Sequence, residues 1–343
     1  MRQPLLLSAL LLPLLAASCI HTYQKEIEPT KEQKIDLYTT TATYLYEDDE
    51  LDRAQDQAVK ALELDPENRA MRRMIGWIRL RKAGNEDLII AERFFRDLLR
   101  DGDENQNTRL GLAIACERLG KAYDDVARAL RAGEREAPKG RSPEQEISAL
   151  QEKTQAYWSR SVELLEGLLV KGEGNTNAMN ALQRVLALQG RLSDSLAWSE
   201  RILERTTGEL ASWNRLLREK DLNRSEERLY RDNQRNALQL QVDTHLFAAT
   251  LLFRLERYDE ALTHLDQVVD ADPELPQAYG MRGQMRARVG RYEEAIADID
   301  RYLALSDAPY ESPDVRKAFA LRAEATEQLT HAASHPAATG DFR

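Results

Sequence analysis

Apolar residues recur at three- and four-residue spacing from about residue 35 to residue 332, with breaks at turn residues and no sustained strand-like alternation. The pattern predicts an all-α chain. Ser142-Pro143-Glu144-Gln145 reads as a helix start, with Ser142 as N-cap, Pro143 at the first helical position and Gln145 closing a capping box. The helix it opens is expected to reach about Leu169 and to stop at Gly172 and Gly174. Residues 210–240 form another polar helical stretch, and after Ser312-Pro313 a last helix is expected to run to about Leu329.

Residues 1–18 depart from this pattern. Arg2 is followed by an apolar run from Pro4 to Leu15, then by the small residues Ala16, Ala17 and Ser18. The run falls short of the roughly 20 residues that span a bilayer as a helix, so a cleaved leader is expected at 1–18. Leu15-Ala16-Ala17-Ser18-Cys19 resembles the bacterial lipoprotein signal, with Ala16 where leucine is more usual. The resemblance implies cleavage before Cys19, acylation of its thiol and, with Ile20 rather than aspartate following, an address at the outer membrane facing the periplasm. Several acyl chains, each contributing about 0.8 kcal/mol per buried methylene, anchor firmly. An ordinary leader with a chance cysteine is the alternative. A polar tether follows at 19–34, with Pro29 inside it, and residues 333–343 are expected to be a disordered tail.

Internal repetition makes the helical pattern specific. Arg257-Tyr258-Asp259-Glu260-Ala261-Leu262 recurs as Arg291-Tyr292-Glu293-Glu294-Ala295-Ile296, with the alanines 34 residues apart. Ala249 and Gly283 hold matching small positions at the same interval. Ala54 leads to Pro66, and Ala261 to Pro273, each over 12 residues. These residues resemble the tetratricopeptide repeat family. The resemblance implies an α-solenoid of antiparallel helix pairs, in which small residues (Gly76, Gly283, Ala54, Ala261, Ala295) let axes approach and proline ends the second helix. No pair buries its apolar face alone, so pairs must stack. The expected layout is an N-terminal array at 35–209, a helical linker at 210–241, and a C-terminal pair with a capping helix at 242–332. Within it, repeats start near 35, 69, 242 and 276. Weaker ones lie at Gln106–Pro138 and at 175–208, where Ser195 replaces the preferred alanine.

Composition narrows the function. A formal charge of −10, with 31% charged and 42% hydrophobic residues, lacks the basic footprint of a nucleic-acid binder. Cys116, in an apolar helical stretch, reads as a buried inert thiol. No phosphate loop, nucleophile elbow or zinc-type cysteine cluster occurs, and no catalytic residue, metal or cofactor is expected. His331 and His335 have ligand spacing but are too few for a stable site. His245 and His264 read as helix-surface residues.

By resemblance, the working surface is the concave face made by the first helix of each pair. Arg73, Trp77 and Arg81 share one helix face at four-residue spacing. Their counterparts are Thr250 and Arg254, then Gln284 and Arg288, with Phe253 beside them and arginine at the same repeat position in Arg81, Arg254 and Arg288. A cationic groove in an acidic protein suits a carboxylate-bearing peptide, with tryptophan as an anchor. The bland reading is that these arginines pair with neighbouring acids and Trp77 packs between repeats. The lysine and asparagine set of chaperone-clamping repeats is absent. The expected function is a lipid-anchored envelope scaffold for a protein partner or its own copies, similar in build to type IV pilus pilotins and a subunit of the outer-membrane β-barrel assembly machinery. The alternatives are an adaptor of a cell-wall hydrolase or protease, and an enzyme with its site in 139–240.

Overall fold

The computed structural model describes residues 28–171, 175–219 and 221–334. The expected leader at 1–18, Cys19, most of the expected tether and the residues beyond Ser334 lie outside the described residues. Thirteen helices, and no strand, make up the secondary structure of those described, and none of these helices is long and apolar enough to cross a membrane. The chain divides into two compact units, one ending at Asn68 and one beginning at Arg69.

The first unit contains α1 (Lys31–Glu47) and α2 (Leu51–Leu64). Thr30 caps α1 with a capping box: its hydroxyl accepts from the Gln33 amide at 3.2 Å, and its own amide donates to Gln33 Oε1 at 2.8 Å. The helix thus begins four residues before the start given by the repeat spacing. Ala42, Ala54, Ala58 and Ala61 have no exposed surface, so small side chains line the packed faces of the two helices.

The second unit runs α3 (Arg69–Lys82), α4 (Asn85–Arg100), α5 (Gln106–Arg131), α6 (Pro143–Lys171), α7 (Thr176–Leu188), α8 (Leu192–Leu216), α9 (Arg224–Arg254), α10 (Tyr258–Ala271), α11 (Pro276–Arg288), α12 (Tyr292–Leu305) and α13 (Pro313–Ser334). Each helix packs on the next, and α3 also touches α5, α5 touches α7, and α11 touches α13. This is the neighbour-on-neighbour order of an α-solenoid.

Short turns inside the pairs share one geometry in both units. A left-handed residue follows the first helix: Asp49 (φ 62°), Ala83 (57°), Gly190 (79°), Glu256 (59°) and Gly290 (78°). In four of them the next amide bonds back over the helix end, Glu50 to Leu45 O, Arg191 to Leu186 O and Arg257 to Leu252 O at 2.9 Å, and Arg291 to Arg286 O at 2.8 Å. These are Schellman closures. At Asp49, Ala83 and Glu256 a side chain accepts a left-handed conformation that costs roughly 1–2 kcal/mol, so packing of the pair overrides local preference.

Two pairs overrun the repeat length. The expected repeat at Gln106–Pro138 is corrected, because 106–131 is one uninterrupted helix. Leu119, Ala127 and Leu130 carry its buried stripe past the point where a repeat would turn, and the helix stops only at Gly133 (φ 73°). Its partner is α6, started by the capping box at Ser142 and Gln145, both bonds 3.2 Å. Three α6 side chains bond successive α5 carbonyls: Thr154 to Gly120 at 3.3 Å, the Trp158 indole to Glu117 at 3.3 Å and Ser161 to Ala113 at 2.8 Å. Likewise, residues 210–241 are divided between the end of α8 and the first half of α9. Gln234 donates to Asn214 Oδ1 at 2.6 Å, Gln241 to Thr207 Oγ1 at 3.0 Å, and Trp213 meets Tyr230 at 5.8 Å between ring centroids.

The core near α3–α5 is centred on Phe95, which has no exposed surface. A Cβ added to Gly76 of α3 would stand 2.7 Å from its ring, and one added to Gly111 of α5 would overlap the same ring. Cys116 lies in the same cluster, and burial raises its thiol pKa to about 12, which leaves the thiolate scarce and the residue inert.

Gly111→Ala is expected to cost about 1–3 kcal/mol by overpacking, read as a lower thermal midpoint. Phe95→Leu in the same chain should recover part of that loss, whereas strictly additive effects would mean that the ring and the glycine do not meet. Cys116 is expected to resist iodoacetamide at pH 8 in the folded protein and to react fully in urea, followed by peptide mass; labelling of the folded chain would contradict its burial.

Candidate functional site

The residues expected to line the concave face divide into two groups. On α3, Arg73 is bound to Asp103 at 2.9 Å, and Asp103 also accepts from Thr108 at 2.6 Å. Burial alone would raise the Asp103 pKa, but the bonds from Thr108, Arg73 and the Asn105 amide outweigh it and hold the pKa low. Trp77 is half-buried and meets Phe95 edge-on at 5.6 Å and 71°. Arg81 is exposed. Arg73 and Trp77 thus tie α3 to its neighbours.

Towards the other end, Thr250 is exposed and its hydroxyl bonds the Leu246 carbonyl of its own helix at 2.9 Å. Phe253 leans on Tyr258 at 5.7 Å and packs against the core around Leu262 and Met285. Arg254 and Arg288 are exposed, and among the described residues neither has an ion-pair partner.

Gln284 and Arg288 face a groove that periodicity alone did not reveal. A cavity of about 480 Å³ lies between α11 and α13, floored by Met281, Ile299, Tyr302 and Leu321. A second, of about 510 Å³, continues past Arg288, Tyr292 and Glu324, and the two share Gln284, Lys317 and Leu321. Each is the size of a small-ligand pocket. Gly280 opens the first cavity, since a Cβ there would stand 3.2 Å from the Tyr302 ring. The facing stripe on α13 (Asp314, Lys317, Leu321, Glu324, Gln328) has the same three-and-four spacing as Gln277, Gly280, Gln284 and Ala287 on α11. That spacing was available in the sequence, but a helix read as a cap has no expected partner on that face.

The rotation of α11 is fixed from behind. Arg282 holds the buried Asp298 of α12 with two bonds of 2.9 and 2.7 Å, and Arg286 reaches the same carboxylate at 2.7 Å. Arg282 also bonds Asp266 of α10 at 2.8 Å. Asp298 is 3% exposed, so removing either side of this clamp leaves an uncompensated charge in the packing. With Arg282 and Arg286 turned inwards, Gln284 and Arg288 are turned to the groove.

His245 and His264, read as surface residues, are instead half-buried and meet each other at 2.8 Å. Spacing within one helix carries no sign of this, because the two belong to α9 and α10. Among the described residues no three His, Cys, Asp or Glu side chains stand together as a metal site would need.

Residues 248–310 match the family model of the tetratricopeptide repeat. A search of curated proteins found no match. Among solved structures, the chain is similar to PilF of Pseudomonas aeruginosa, at 11% identity over 84% of this chain and 98% of that one, TM-score 0.49. It is similar also to a thermophilic tetratricopeptide repeat protein of Thermus thermophilus, at 13% identity over 88% and 100%, TM-score 0.33. A third is a tetratricopeptide repeat protein of Parabacteroides merdae, at 14% identity over 85% and 99%, TM-score 0.36. The matched segment takes in the end of α9, all of α10 to α12 and the Arg257 and Arg291 turns. With the 34-residue recurrence and the stacked helix pairs, it identifies residues 248–310 as tetratricopeptide repeat within an all-α solenoid.

Proposed function

We propose that this protein is a lipid-anchored scaffold of the bacterial cell envelope, held by Cys19 at the outer membrane and facing the periplasm, which binds a protein partner through an extended peptide lying between α11 and α13. Tetratricopeptide repeat proteins are protein-interaction scaffolds as a class, and the reading rests on the place where this one leaves an open, mixed surface. The observation that carries it is the continuous groove of Gln284, Arg288, Lys317 and Leu321. Its apolar floor suits one or two aliphatic or aromatic side chains. Arg288 and Lys317, with Arg254 on the preceding first helix, suit a carboxylate. Asp314 and Glu324 on the same wall disfavour a uniformly acidic chain, so a single carboxylate beside apolar residues is the better match.

The groove is tested by selecting binders from a library of ten-residue peptides and titrating the best. Arg254→Glu combined with Arg288→Glu is expected to weaken binding at least tenfold, about 1.4 kcal/mol, with the helical circular dichroism unchanged. Equal affinity in the folded variant would remove the groove from the reading.

The anchor is tested separately by intact mass and membrane fractionation of the protein expressed in a bacterium, wild type beside Cys19→Ser. Loss of residues 1–18, added acyl mass and membrane association in the wild type alone are expected. An unmodified, soluble wild type would leave a groove without an anchor.

A further inference from the structure

Where α9 meets α10, two imidazoles face one another. His245 and His264 set Nδ1 against Nδ1 at 2.8 Å, with ring centroids 5.1 Å apart and planes inclined by 51°. At that distance the contact holds one proton: one ring donates Nδ1–H and the other accepts through its lone pair. A second proton would set two N–H groups against each other and place a charge between packed helices. The charges that reach the pair are Glu200 of α8 and Glu260 of α10, both acting on His264, and Glu260 is already bound by Arg257 at 2.6 Å. Among the described residues, the charge that acts on His245 is that of His264.

We infer that the His245–His264 contact is an acid-released latch, closed while one of the two facing nitrogens keeps its lone pair and opened when that accepting nitrogen takes a proton. Its position makes opening consequential. α10 lies between α9, which carries Arg254, and α11, which carries Gln284 and Arg288, and Leu262 and Leu265 join all three helices in one core. Loosening α10 from α9 therefore disturbs the spacing of the first helices that carry Arg254, Gln284 and Arg288.

The protonation energetics agree with the geometry. Burial, and then the charge on His264, lower the His245 pKa to about 4. Burial lowers that of His264 as well, against the opposing pull of Glu200 and Glu260. An imidazole freed from the contact titrates near 6.5, so the open form binds protons more readily. The latch contributes its full stability above about pH 6.5. That contribution is lost progressively as pH falls towards about 4. The two rings titrate as a coupled pair.

The test follows imidazole signals of the full chain by NMR from pH 8 to 4, assigned by substituting His21, His331 and His335, together with thermal unfolding at pH 7.5, 6.0 and 5.0. Two rings titrating below the ordinary histidine range are expected, His245 near 4, with a midpoint about 4 °C lower at pH 5.0 than at 7.5. His245→Gln and His264→Gln should each remove most of that pH-dependent fall. Two rings titrating near 6.5, or variants that keep the wild-type dependence, would overturn the latch. Should a variant fail to fold at pH 7.5, the wild-type titration decides alone.

Discussion

The separation of helix axes at Phe95 is the constraint on which the first pairs of the second unit depend. One ring fills the space between α3 and α5, and it fits because both neighbours are glycine where it touches them, at Gly76 and Gly111. Close approach brings Leu80, Leu112 and Ala115 into one core with Phe95, where dispersion contacts and lost water contact add. The same device recurs at Gly120, which leaves room for the Trp158 indole of α6. Here approach also brings side-chain donors within reach of the α5 carbonyls, and the long pair is joined along its length by Thr154, Trp158 and Ser161.

At the other end the spacing is set by charge. Asp298 is buried and meets two arginines of α11, an arrangement that adds little over an apolar core in net stability but tolerates few alternatives. Its effect is directional: α11 cannot rotate without breaking the pairs, so one face is reserved for the clamp and the other for the groove. The N-terminal stripe has the opposite fate. Arg73, held by Asp103, and Trp77, held by Phe95, join helices, so equal repeat positions are put to packing in one pair and left open in another.

Polar residues inside the stack follow the rule that buried hydrogen-bonding groups find partners. Ser195 stands where the repeat prefers alanine, and its hydroxyl donates to the Gln183 carbonyl at 2.6 Å while Ser199 donates to the Gln183 side chain at 2.8 Å. The departure from alanine is accommodated by a neighbour that accepts the bond. The histidine pair extends this logic to a titratable contact, since its hydrogen bond needs one of the two facing nitrogens to be unprotonated.

By itself the sequence determined the helical class, the pairing of helices, the 34-residue repetition and the capping box at Ser142. These depend on periods and neighbours within a few residues, which a chain carries locally. The box at Thr30 and Gln33 was equally readable and moves the start of α1. The tertiary structure alone decided that α5 continues to Arg131, that 210–241 belongs to two helices, that α13 forms a wall of the groove, and that His245 meets His264. Each depends on which faces of separate helices come together. A stripe of residues tells which side of a helix is apolar or charged; only the packing of the next helix decides whether that side is buried, clamped or left open to a partner.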